Sequence, residues 1–171
     1  MNEYRLLRIA AVGLVIGAAL GLAGAFAPSA SLRGLAWGLD GIALVMATAF
    51  LTIHHVRRGN DLIAGAFLIF AVGQGLVLSG AAMELAASAP SFGAGAGLWA
   101  TALAIISAGR LMPLWVRATG SIAAILLAVV AFRIFAGNGL TPLSQPLPFF
   151  AYPFLVATLL GWAWVHYRRP D

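Results

Sequence analysis

Few residues in this chain can do chemistry, and most of them lie inside apolar runs. Asp40 is the only charge in "GLAWGLDGIALVMATAF", residues 34–50. Arg133 interrupts "AVVAFRIFAG" in the same way, and Gln74 sits within "FLIFAVGQGLVLSG". His54, His55 and His166 each close an apolar run beside arginines. An isolated charge in apolar surroundings is costly, so it must be paired, neutralised or wetted. The expected partner of Asp40 is Arg133, with Glu84 and Arg33 reaching the same side. Such a cluster could clamp two helices together, or it could bind a proton or a polar solute.

Gln74, near the middle of its run, can bridge two helices through its amide or line a path between them. Thr48, Thr52, Ser79 and Thr158 are expected to bond back to their own helix carbonyls. Imidazoles from two facing helices could ligate a b-type haem or a divalent metal, or could form an inner gate. Beside Arg57, Arg58, Arg168 and Arg169 the same histidines are also ordinary residents of a membrane interface. The chain has no cysteine, which excludes thiol chemistry and cysteine-ligated metals. Ser79 and His166 are expected at opposite depths, so they cannot reach the ~3 Å that a nucleophile and its base require. Catalysis normally needs convergent reactive groups. The pattern assigns no catalytic residue and no metal ligand set, and it fits binding better than catalysis.

The elements that must position these residues are membrane helices. Hydrophobic residues make up 62% of the 171, charged residues 9%, and mean hydropathy is +0.98. A soluble protein with this composition would expose large apolar patches. Six apolar runs, at about 7–26, 34–56, 62–84, 93–112, 118–136 and 147–167, approach or exceed the ~18 residues that cross a bilayer as a helix. The breaks are "APSASLR", "RRGND", "ASAPS", "PLWVR" and "GNGLTPLSQP". In lipid each span must satisfy its own backbone, and the runs lack the alternation of barrel strands. The expectation is an all-α, polytopic, single domain over 1–171, a compact bundle of six transmembrane helices. The first run, at about 18 apolar residues, is longer than a signal-peptide core of ~7–15 and reads as a retained helix.

All ten basic residues are arginine. With the N-terminus inside, Arg5, Arg8, Arg57, Arg58, Arg110, Arg117, Arg168 and Arg169 fall at cytoplasmic ends, and only Arg33 and Arg133 fall outside. This asymmetry predicts both termini in the cytoplasm of a bacterial-type inner membrane. Loop arginines also explain the basic balance without any nucleic-acid partner. Gly13, Gly17 and Gly21 form a small-residue stripe that lets another backbone approach, within the chain or in a homo-oligomer. The prolines of "LTPLSQPLPFFAYP" predict an irregular outer end of the last helix, tucked as a cap beside Asp40.

Three functions follow as expectations. The first is a transporter or channel for a small solute, ion or proton. The second is a non-catalytic subunit or accessory protein of a larger membrane complex. The third is a haem- or quinone-linked redox protein using the inner-face histidines.

Overall fold

The computed structural model describes residues 3–81 and 83–168; Arg169 lies outside them. Six helices account for most of the described chain: α1 (Glu3–Ala25), α2 (Ala30–Arg57), α3 (Asp61–Gly80), α4 (Ala89–Ala108), α5 (Leu114–Phe135) and α6 (Ala151–Arg168). Strands are absent among the described residues. Five of the helices, α1 to α5, are long and apolar enough to cross a membrane. The sixth falls short of that measure. Its 18 residues are long enough, but Trp162, Trp164, His166, Tyr167 and Arg168 make it less apolar than the other five.

Helix ends depart from the apolar runs for local reasons. Ser29 caps α2 by accepting from the Leu32 amide at 3.3 Å, so the helix starts before the run at Gly34. Its 28 residues make it the longest element. Pro90 enters α4 in the first turn, where its missing N–H costs nothing. The segment 136–150 forms turns, and α6 begins only at Ala151, later than residue 147.

Each helix packs on the next in sequence, and α6 closes against α1, so the six form a ring. One end of the ring carries the start of α1, the end of α2 and the end of α6, where Glu3, His54, His55, Arg58 and His166 gather. The opposite end carries Trp37, Gly80, Ser88, Pro142 and Tyr152. The two are called here the histidine end and the cavity end. Large apolar side chains such as Leu39, Ile42, Leu62, Leu68, Ile125 and Phe132 face outward and are exposed. That pattern suits a surrounding lipid phase rather than water.

The glycine stripe of α1 packs inside the chain. A Cβ on Gly13 would meet the Ala43 carbonyl oxygen at 3.0 Å, and one on Gly17 would run into Leu44. Gly21 faces the Asp40 carboxylate, and Gly24 extends the stripe by abutting Trp37. The stripe seats α2, whose Trp37 ring N–H donates to the Gly21 carbonyl at 3.2 Å. A second close approach joins α3 and α4, where a Cβ on Gly95 would lie 2.7 Å from the Gly73 carbonyl oxygen. Small residues here remove the volume that would hold backbones apart. Thr48, Thr52, Ser79 and Thr158 each bond back to a carbonyl one turn earlier, as expected for hydroxyls in apolar helices.

A column of buried rings fills the middle of the ring. Trp99 stacks on Phe70 at 5.7 Å, and Phe70 meets Trp162 edge-on at 5.5 Å. Trp162 meets Phe67 at 5.0 Å, and Phe67 stacks flat on His55 at 5.4 Å. Offset and edge-to-face geometry of this kind adds to simple area burial. The column separates the two ends of the molecule.

Candidate functional site

Asp40 and Gln74 meet on neighbouring helices inside the cavity end. The Gln74 side-chain amide donates to Asp40 Oδ2 at 3.4 Å, and both residues are buried. Gly17 and Gly21 of α1 bring the opposing backbone close to the carboxylate. Asp40 and Gln74 line a cavity of about 70 Å³, measured as space open to the centre of a water molecule. One water needs roughly 10–15 Å³ on that measure, so the space holds several waters or one small solute. Trp37, Trp99 and Tyr152 contribute aromatic walls, and Leu44, Leu155 and Leu159 apolar ones. Pro142 and Tyr152 lie over it, tied together by the Tyr152 hydroxyl donating to the Pro142 carbonyl at 2.9 Å. The proline-rich segment thus caps the Asp40 site, as its composition indicated.

Three polar atoms of these lining residues have no protein partner. They are Asp40 Oδ1, Gln74 Oε1 and Trp99 Nε1, all buried. Buried polar atoms in folded proteins ordinarily have partners, so atoms of this kind among the lining residues call for an explanation.

The expected four-residue cluster does not assemble. The α2 and α5 backbones make no close approach, because they lie across the ring from one another. Arg133 is exposed, and no ion pair joins it to Asp40. Glu84 is an exposed residue of the turn after α3. Arg33 lies two helical turns before Asp40, about 10 Å along the axis, with its guanidinium 6.0 Å from the Trp37 ring. The physical reason is rotational: equal depth in the helices does not put side chains on facing sides. The partner that the ring provides for Asp40 is Gln74.

The three histidines do converge. His55 and His166 place their Nε2 atoms 3.2 Å apart, and the His54 ring lies 4.9 Å from that of His55. All three are buried. His166 Nδ1 is 2.7 Å from the Trp162 carbonyl oxygen, which only accepts, so Nδ1 carries the proton. The Nε2–Nε2 contact between His55 and His166 is then a hydrogen bond whose direction follows from their protonation. His54 Nδ1 meets Glu3 at 2.8 Å, and Arg58 Nε donates to the same Glu3 oxygen at 2.9 Å. Glu3 and Arg58 are partly exposed, so this outer pair is a weak fastening. No pattern in the sequence ties Glu3 to His54, because they are joined only when α1 and α2 pack antiparallel.

This arrangement does not suit haem. Imidazoles on opposite sides of one iron stand about 4 Å apart, given metal–nitrogen bonds of roughly 2 Å. Here the two nitrogens bond to each other directly, and Phe67 and Trp162 occupy the flanks where a macrocycle would lie. Among the described residues no group of three or more His, Asp or Glu side chains is arranged to hold a metal ion. The contact between His55 and His166 links α2 to α6.

Fold and site together define an all-helical described chain with five helices apolar enough for a membrane and a largely apolar cavity lined by Asp40 and Gln74. No protein-family model, curated protein or solved structure matches it.

Proposed function

We propose that this chain is a multi-pass inner-membrane protein that binds a small solute in the Asp40–Gln74 cavity and carries it across the bilayer. The observation that carries the reading is the trio of unpartnered polar atoms among the residues lining a capped, otherwise apolar cavity. A site that places few polar groups in an apolar pocket is the usual form of a small-molecule site. The aromatic column favours a carrier over an open channel. Asp40 and Gln74 line the cavity, whereas His54 and His55 do not, and packed rings stand between them. Passage therefore requires the column to move, as alternating access requires.

The orientation belongs to the same proposal. The chain of α6 runs from Tyr152 at the cavity end to His166 at the histidine end, and this supports six crossings despite its lower apolarity. Arg8, Arg58 and Arg168 lie at the histidine end, which the distribution of arginine places in the cytoplasm. Reporter fusions after residues 60, 115 and 168 should read cytoplasmic, and those after 30, 90 and 140 periplasmic. A periplasmic signal after residue 168 would reduce the crossings to five and overturn this topology.

Binding is measurable through the native tryptophans Trp37 and Trp99, which line the cavity. Small alcohols, amines and carboxylic acids titrated into detergent-solubilised protein should give saturable emission changes for at least one class. Proteoliposomes should accumulate the same class, and Gln74→Leu should abolish both effects while leaving the circular dichroism spectrum intact. If no class saturates, the carrier reading fails and the accessory-subunit reading takes its place.

A further inference from the structure

The chemistry of the cavity narrows what can occupy it. Gln74 turns its amide nitrogen toward Asp40 Oδ2, and a carboxylate would repel the carbonyl end, so the amide orientation is determined. Its Oε1 is then left as an acceptor, and Asp40 Oδ1 is a second one. Each belongs to a side chain more than nine-tenths buried. No arginine of the described chain forms an ion pair with Asp40. The carboxylate must therefore be neutralised by a cation or a proton that the fold does not itself provide. Around it stand the rings of Trp37, Trp99 and Tyr152, whose faces attract cations.

We infer that the cavity recognises a small protonated primary or secondary amine, its ammonium donating to the Asp40 carboxylate and the Gln74 side-chain carbonyl with its short alkyl part against Leu44, Leu155 and Leu159. This rests on the carrier reading above and names its substrate class. Two acceptor side chains in one cavity call for a donor with at least two N–H bonds, which a quaternary ammonium lacks. An ionised Asp40 favours a cation over an anion. The volume restricts the alkyl part to a few carbons.

The experiment compares four probes of similar size on the full chain in detergent: n-butylammonium, tetramethylammonium, n-butanol and butyrate. Binding is read by calorimetry and by tryptophan emission. The expected result is n-butylammonium binding at least about tenfold tighter than each of the others, because only it makes charge-assisted N–H bonds. Asp40→Asn should remove that preference, and Gln74→Met, close in shape, should weaken n-butylammonium by about tenfold, more than it weakens n-butanol. If Asp40→Asn does not fold, the Gln74→Met result decides the question. Equal binding of tetramethylammonium would overturn the N–H requirement, and equal binding of n-butanol would overturn the need for a cation. Preference for butanol or butyrate would sink the amine inference and leave a carrier for another solute class. Binding by none of the four, or by any other small alcohol, amine or acid, would overturn both readings.

Discussion

Trp162→Ala is expected to lower stability by about 3–5 kcal/mol, among the largest losses available to a single side chain here. Trp162 is fully buried and touches both Phe67 and Phe70, so truncation opens a void where two rings lose their neighbour. The ring N–H of Trp162 has no acceptor, so the loss is one of packing rather than of a hydrogen bond. A thermal melt in detergent with unchanged midpoint would show that the column is not a structural member. The same variant carries a functional consequence. With the middle ring gone, water can connect the capped cavity to the histidines. Proteoliposomes holding the variant should therefore leak protons down an imposed pH gradient, whereas those holding the parent chain should not.

Gly95→Val is expected to destabilise by about 2–3 kcal/mol, within the range for overpacking a tight contact. A Cβ there meets Val77 and lies 2.7 Å from the Gly73 carbonyl oxygen, which belongs to backbone and cannot rotate aside. Valine adds two further carbons, so α3 and α4 must separate. Replacing a helical glycine gains less than about 1 kcal/mol in return, which does not offset that separation. The comparison variant is Gly75→Ala on the same helix. Nothing lies within 4 Å of a Cβ at that position. It should raise stability slightly, by up to about 1 kcal/mol, from helix propensity alone. Melting midpoints of both variants under one detergent condition test the pair. A destabilised Gly75→Ala beside an unchanged Gly95→Val would refute the packing described for α3 and α4.

Much of the architecture was legible in the sequence because its causes act within each segment. Apolar length, prolines and glycines at the breaks, and the need of every backbone amide for a partner in lipid determine that six helices form and roughly where they end. Hydroxyl back-bonding is likewise a local consequence of residue type. The proline-rich approach to α6 could be read as a cap because proline denies that stretch a regular helix.

What only the tertiary structure decided was which sides of those helices face one another. The sequence gives the depth of Asp40, Gln74 and Arg133, and depth alone suggested that opposite charges pair. The ring places α3, not α5, beside α2, so a neutral amide becomes the partner of Asp40 while Arg133 turns outward. The same closure brings His166 to His55, although 111 residues separate them. It also inserts Phe67, Phe70 and Trp162 between two polar ends that a list of depths would join into one ladder. The physical reason is that hydrophobicity in a bilayer fixes position along the normal and is nearly silent about rotation about it. Rotation and neighbour order come from close packing of glycines and rings, a property of pairs of surfaces that no single segment contains.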